Sequence, residues 1–490
     1  MGRDVSGAVF SREDRQRYRQ KVRACLDVFA RMLGEARFDP ERRSVGLEIE
    51  LNLTGEEGDP AMLNAEALEA IADPDFQTEL GRFNLEINVP PRLLEHGAFS
   101  ALEEEVRREL NHAEVQARGV GAHMMLIGIL PTVGEQHLTS DSFSDNPRYE
   151  LLNEQIFAAR GEDLEISISG VERLSTFADT IAPEAACTSV QLHQQVEPEA
   201  FARFWNAAQA IAGPQVAVAA NSPFFFGKEL WRETRIALFE QATDTRPEEL
   251  KAQGVRPRVW FGERWVTSIF DLFEENVRYF PALLPVCEPE DPEETLARGD
   301  TPSLAELRLH NGTIYRWNRP IYDVVGGRPH LRVENRLLPS GPSVVDICAN
   351  AAFYYGLIWA LVAEEQPLWT RMSFSAAEEN FHAGARDGID ARLYWPGIGE
   401  VPVSELVLRR LLPAADQGLD LAGIEAADRD RLLGVIERRC VTMQNGAAWQ
   451  AAALHRLEAS RDRPAALREM TMLYREHMHA NEPVHAWPLP

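Results

Sequence analysis

The chain has 490 residues, 45% of them apolar, which is enough for a large buried core. Its 76 acidic residues outnumber 50 basic ones and leave a formal net charge of −26, a field that repels phosphate backbones and anionic bilayers and so argues against nucleic acid and membrane as partners. Cys25, Cys187, Cys287, Cys348 and Cys440 are odd in number, widely spaced and free of any CxxC pair, so no disulfide framework or zinc knuckle is expected and the compartment is read as the reducing cytoplasm.

The first residues, MGRDVSGAVFSREDRQRYRQKV, lack the apolar core of a signal peptide, and the MGxxxS start is too short a match to a myristoylation pattern to carry weight. Val22, Cys25, Leu26, Phe29 and Leu33 recur at helical spacing and predict an amphipathic helix over Ser11–Leu33. GLEIEL (46–51) then alternates with period two, so Leu47, Ile49 and Leu51 share one face of a strand and Glu48 and Glu50 the other. FNLEINV (83–89) does the same, with Asn84, Glu86 and Asn88 opposite Leu85, Ile87 and Val89. A helix over Ser100–Arg118 and an apolar strand over Ala122–Leu130 follow. The strand CTSVQLHQQV sets Gln191, His193 and Gln195 against Val190 and Leu192, and a helix is expected over Pro198–Ala212.

AELRLHNG reads as a further strand, with Glu306, Arg308 and His310 opposite Leu307 and Leu309. HLRVENRL (330–337) sets Arg332, Glu334 and Arg336 against Leu331 and Val333. Five strands whose polar faces gather carboxylate, amide, imidazole and guanidinium predict an active-site floor. Oxygen ligands on rigid strands suit hard cations such as magnesium or manganese, and arginines beside them suit nucleotide phosphates. Polar stretches at 134–147, 242–257 and 288–303 read as surface loops and candidate lids. From Ser343 onward the pattern is almost wholly helical, starting with an apolar run, Val344–Ala363, interrupted by Asp346 and Asn350 and therefore read as a buried helix and not a membrane span.

GxxxxGK[ST], GxGxxG, GxSxG and HExxH are all absent, so a bound nucleotide is expected to be held by side chains and metal instead of a glycine-rich loop. Cys187 is read as a packing residue, not a nucleophile. His477 and His479 lie two apart on a helix and face different ways, which argues against a metal cluster with His485.

GLEIE, NLEIN, NSPFFFG (221–227), TRIALF (234–239), WNRP (317–320) and ENR (334–336), in that order, resemble the glutamate-cysteine ligase family, in its bacterial carboxylate-amine ligase branch, distantly related to glutamine synthetase. The resemblance implies an α+β fold: a curved, largely antiparallel sheet binding ATP and Mg2+ (or Mn2+), with helices packed on one face and a helical C-terminal region. It divides the chain into an N-terminal helix (1–40), a catalytic sheet domain (41–345) and the helical region (346–490). ATP would phosphorylate a substrate carboxylate, and an amine would displace phosphate to leave an amide, with glutamate and cysteine the default pair. Glu48, Glu50, Glu86 and Glu334 match the family's metal-binding carboxylates and His193 a histidine on a comparable strand. Arg336 matches the arginine on the transferred phosphoryl group, with Arg319 its catalytic companion. Arg235, Gln191, Asn88 and Arg308 are candidates for contact with substrate or nucleotide. A guanidino-kinase-like phosphotransferase and a non-catalytic binding protein on the same sheet are the alternatives, and oligomeric state is open.

Overall fold

The computed structural model describes residues 10–39 and 43–490, so the MGxxxS start lies outside the described residues. Seven strands form one curled, wholly antiparallel sheet: β1 (Ser44–Thr54), β2 (Phe76–Thr78), β3 (Asn84–Leu93), β4 (His123–Met125), β5 (Ser189–Val196), β6 (Asn318–Val325) and β7 (Arg328–Pro339). Their order is β6-β7-β5-β1-β3-β2, with β4 pairing the far end of β1. The alternation read from the sequence holds in the four central strands. Leu47, Ile49, Leu51, Leu85, Ile87, Val190, Leu192, Leu331 and Val333 are all buried on one side, which by the strand period turns the glutamates to the other.

Helices cover the apolar side. The predicted first helix is α1 (Arg12–Gly34), opened by a capping box between Ser11 and Asp14. Behind the sheet lie α2 (Ala98–Gly119), α3 (Phe201–Ala210), which is the helix expected over Pro198–Ala212, and α4 (Ala212–Ala219), a further helix that follows it. Amides that face this side are paired in a chain: Gln209 accepts from Asn318, Asn318 from Asn335, and Asn335 from Gln215. Unpaired, each would carry the full desolvation penalty of a buried amide. α5 (Thr234–Ala242) carries Arg235 to the rim of the sheet.

AELRLHNG is the element that departs most from expectation. It is a helix, α6 (Ala305–Asn311), and not a strand, so Glu306, Arg308 and His310 are not on the sheet. Glu306 is buried against α1, where its carboxylate accepts from Glu288 N at 2.8 Å and lies 3.3 Å from Lys21 Nζ. Seven residues with apolar positions two apart fit either period, and burial against α1 selects the helix. The predicted Ala122–Leu130 strand shrinks to three residues. Beyond it the chain is held by side chains, with Asn52 Nδ2 donating to Ile127 O at 3.1 Å.

The apolar run forms α7 (Val344–Ala363), long and apolar enough to cross a bilayer yet buried in the protein core. Its Tyr355 hydroxyl donates to His193 O at 3.0 Å, tying the helix to the back of β5. α7 meets α8 (Leu412–Ala422) at backbone contact, because a Cβ on Gly418 would lie 1.8 Å from Gly356 O. Helices at Phe374–Asp387, Ala426–Thr442, Gly446–Leu457 and Arg463–Ala480 bear out the almost wholly helical pattern read after Ser343. A hairpin of Arg392–Trp395 with Gly399–Pro402 interrupts the otherwise helical region and was not expected. The 242–257 and 288–303 stretches each contain a short helix, Glu248–Ala252 and Pro292–Ala297.

Candidate active site

The glutamate-bearing face of the sheet lines a cavity of about 620 Å³ whose wall includes five glutamates (48, 50, 79, 86, 184) and five arginines (148, 235, 308, 319, 336). Strand register sets the spacing. Glu48 lies between Asn88 on β3 and Gln191 on β5, Glu50 opposite Glu86, Glu86 opposite Gln77, and Glu334 between His193 and Arg319.

Two groups of acids result. In the first, ligand atoms of Glu50, Glu79 and Glu86 all lie within 4.8 Å of one another. Glu50 accepts from Ser189 N at 2.5 Å and from Gln191 Nε2 at 2.9 Å, and Glu86 from Asn88 Nδ2 at 2.8 Å. These bonds do not offset the crowding. Burial, then Glu48 and Glu50, push Glu86 up to about 7. Burial, then Glu86 and Glu50, push Glu79 well above the ordinary carboxylate range, and burial outweighs Arg336 and Ser189 at Glu50, which is also raised.

In the second group, Glu334 accepts from Arg336 Nη1 at 2.6 Å and from Arg319 Nη2 at 3.0 Å. Burial alone would raise its carboxyl, but the two arginines and His193 hold it well below the usual range. At Glu48 burial is likewise outweighed, chiefly by His193, and its carboxyl falls to about 2. His193 Nε2 is 3.1 Å from Glu48 Oε1, yet neither ring nitrogen makes an aligned hydrogen bond.

This donor set fits divalent cations. Three carboxylates crowded together and raised above their ordinary range, and an imidazole with both nitrogens unsatisfied beside two more, are what oxygen and nitrogen ligands look like when a hard cation would complete them. Glu50, Glu79 and Glu86 would hold one, and Glu48, His193 and Glu334 another.

Gln191 joins the two groups, donating to Glu50 while accepting from Arg336 Nη1 at 2.6 Å. Arg235 reaches the cavity wall with its guanidinium already engaged by Glu233 Oε1 at 3.1 Å and by the carbonyls of Arg336 and Leu337. Those carbonyls sit where β7 leaves register with β5, between Asn335 and Leu338, so Arg235 braces the bulge that aims Arg336. Arg308 lines the cavity from α6 and is paired with Asp323 at 2.6 Å. Cys187 lines it too, but burial lifts its thiol far above the ordinary range and Sγ is 3.7 Å from Arg235 O, which leaves it a packing group.

Sequence reasoning missed Glu79, Arg148, Tyr149, Glu184 and Tyr315. Glu79 follows a three-residue edge strand, too short for its Gln77/Glu79 alternation to register. Glu184 lies in a 3-10 turn, Ala182–Ala186, and Arg148 in the first turn of a helix capped by Asn146, where no periodicity points toward a site. His477 stacks on Trp487 with ring centroids 5.2 Å apart, and His479 lies 3.5 Å from Glu114.

The fold is similar to that of glutamate-cysteine ligase from Francisella tularensis, solved in complex with AMP, with a TM-score of 0.55 at 11% identity over 93% of this chain and 91% of that one. A bifunctional glutathione synthetase from Pasteurella multocida aligns with a TM-score of 0.49 at 13% identity, over 93% of this chain and 55% of its own. The ligase PafA, in complex with the ubiquitin-like protein Pup, aligns with a TM-score of 0.38 at 9% identity, over 89% and 72%. A search of curated proteins finds no match for the sequence. Residues 44–471, which include every sheet strand and every acid of the two groups, match the glutamate-cysteine ligase family 2 (GCS2), and the chain therefore belongs to that family.

Proposed function

We propose that the chain is an ATP-dependent carboxylate-amine ligase that activates a small carboxylic acid, glutamate by family, as its acyl phosphate and releases ADP. The observation that carries this reading is the pairing on one floor of a crowded carboxylate group with Arg319 and Arg336, in a cavity whose one cysteine is a packing residue. A carboxylate becomes an electrophile only when one oxygen is made a leaving group, and transfer of phosphoryl between two anions requires their charge to be offset. Divalent cations held by Glu50, Glu79 and Glu86 and by Glu48, His193 and Glu334 would supply that offset. Arg336 and Arg319, fixed by Glu334, present planar guanidinium groups to the transferred phosphoryl group, and Gln191 couples Arg336 to Glu50 so that both keep one geometry. Water would hydrolyse an acyl phosphate, so this reading calls for a loop that closes over the cavity, with the stretches at 134–147, 242–257 and 288–303 as candidates. AMP in the Francisella enzyme supports nucleotide use.

The test is partial turnover. With ATP, magnesium and glutamate but no amine, ADP release is expected to be slow, and hydroxylamine is expected to trap a hydroxamate. Cys187→Ala should leave the trapping intact. Pyrophosphate release, or a phosphorylated or acylated side chain in the protein, would overturn the mechanism.

A further inference from the structure

Asn221, the first residue of NSPFFFG, is fully buried and does not line the cavity, yet all four of its polar atoms are engaged. Its backbone N donates to Glu233 Oε2 at 2.8 Å. Glu233 Oε1 accepts from Ser222 Oγ at 2.7 Å and from Arg235 Nε at 3.1 Å, and the Arg235 guanidinium ends on the carbonyls of Arg336 and Leu337 in the bulge. On its other side, Asn221 Nδ2 donates to Ser340 O at 2.7 Å, and Ser340 Oγ donates to Glu50 O at 2.6 Å. One buried residue thus reaches the backbone that carries Arg336 and the backbone that carries Glu50. Two side chains from the C-terminal helices complete the set. Tyr474, in Arg463–Ala480, accepts from Asn221 Nδ2 at 2.8 Å and donates to Leu126 O at 2.8 Å. Gln450, in Gly446–Leu457, donates from Nε2 to Asn221 Oδ1 at 2.9 Å and to Asn221 O at 3.1 Å. Among the described residues, Gln450 Oε1 is buried and has no partner. An unpaired buried acceptor is costly, so what this amide contributes is its grip on Asn221.

Resting on the ligase reading above, we infer that Asn221, Glu233, Gln450 and Tyr474 are positioning residues for phosphoryl transfer, acting through Arg336 and Glu50 without touching nucleotide or carboxylate. Arg336 and a cation on Glu50 must meet different oxygens of the same phosphoryl group, so their separation has to be fixed before the reaction begins. Gln191 fixes it between the two side chains. Asn221 fixes it between the two strands, because the bulge in β7 and the Glu50 segment of β1 are both tied to one amide. Its own freedom is removed by Gln450 and Tyr474. Burial strengthens each of these bonds and leaves the groups no water as an alternative partner. The C-terminal helices are on this account part of the site's support and not a separate packing layer.

In the full-length protein, Gln450→Met keeps the length of the side chain, removes the grip on Asn221 and relieves the unpaired oxygen, so its melting temperature should stay close to that of wild type. Its kcat for hydroxamate formation from glutamate, ATP, magnesium and hydroxylamine should nevertheless fall about tenfold or more, the range of lost supporting contacts, with KM for ATP within about threefold. Leu454→Ala, buried in the apolar core on the same helix, is the control and should lower the melting temperature while leaving kcat unchanged. Asn221→Ala should lose at least as much kcat as Gln450→Met, and the double variant no more than Asn221→Ala alone, because both act through one chain of contacts. Should Asn221→Ala fail to fold, Tyr474→Phe takes its place in the cycle. A second readout needs no turnover: magnesium, ADP and aluminium fluoride mimic the phosphoryl group in transfer. By calorimetry Gln450→Met should bind that mimic about tenfold more weakly than wild type and bind magnesium ADP alone equally well. Wild-type kcat in Gln450→Met, a loss confined to KM for ATP, an equal loss of kcat in Leu454→Ala, or additive losses in the double variant would each overturn the inference and leave the ligase reading standing. Absence of hydroxamate and of any gain from aluminium fluoride in wild type would instead overturn the ligase reading, and the inference with it.

Discussion

At the residue scale, the carboxylates that crowd the cavity are held against their own stability. Glu79 and Glu86 both have folded-state values raised above the ordinary one, Glu86 to about 7. A raised carboxyl favours the folded state in its protonated form. Its contribution is therefore present below the ordinary value and is lost as pH rises through the folded one. In metal-free protein, Glu79→Gln should raise the melting temperature by several degrees at pH 8, with the gain shrinking toward pH 5. The same substitution should diminish the further rise that magnesium gives the wild type, and thermal melts with and without the ion measure both. His310 makes the opposite case. Burial lowers it to about 4, and Nε2 donates to Asn276 O at 2.9 Å, so the folded state holds it neutral. That stability is present above about 6.5 and lost as pH falls through 4, a difference on the order of 3 kcal/mol. His310→Gln, which keeps a donor but cannot titrate, should flatten the denaturation free energy across that window. The glutamates 48, 50, 86 and 334 were legible because each sits in a strand long enough to show its period. Glu79 was not, because its strand has three residues.

At the scale of elements, two short segments show where pattern stops deciding. AELRLHNG and HLRVENRL alternate alike, but the first has helical neighbours to bury against and the second has β5 and β6 to pair with. Alternation over seven residues is shared by both periods, and only the available partner selects one. Gly356 and Gly418 are the reverse, residues with no pattern at all whose role is to let α7 and α8 touch at the backbone. Gly418→Ala would drive its Cβ to 1.8 Å from Gly356 O and force the helices apart. A loss of about 3 kcal/mol or more is expected, as for overpacking at a rigid contact, measured by urea denaturation. Gly434→Ala, where nothing lies within 4 Å of the added carbon, should be neutral or slightly stabilising and serves as the control.

At the scale of the molecule, one apolar cluster runs from Tyr18 in α1 to Trp487 near the C-terminus and includes the back of the sheet. α7 supplies much of its centre, and its Tyr355 bonds to β5 directly behind His193. A chain ending at Ser340 should therefore keep every sheet strand except its support and fail to fold. Circular dichroism and a thermal melt check this, and a cooperative transition in the shortened chain would contradict it.

What the amino-acid order determined by itself is what a long enough local period shows: which of the longer strands carry acids on one face, which helix is apolar enough to be buried, and which order of motifs marks the family. These follow because a strand or helix of sufficient length sorts its own side chains. What only the tertiary structure decided is how those faces meet. Antiparallel register put Glu50 opposite Glu86 and Glu334 opposite His193. A bulge braced by Arg235 aimed Arg336, and a 3-10 turn and the first turn of a helix brought Glu184 and Arg148 to the same cavity. Such pairings join residues far apart in the chain, through hydrogen bonds and burial that no local pattern encodes.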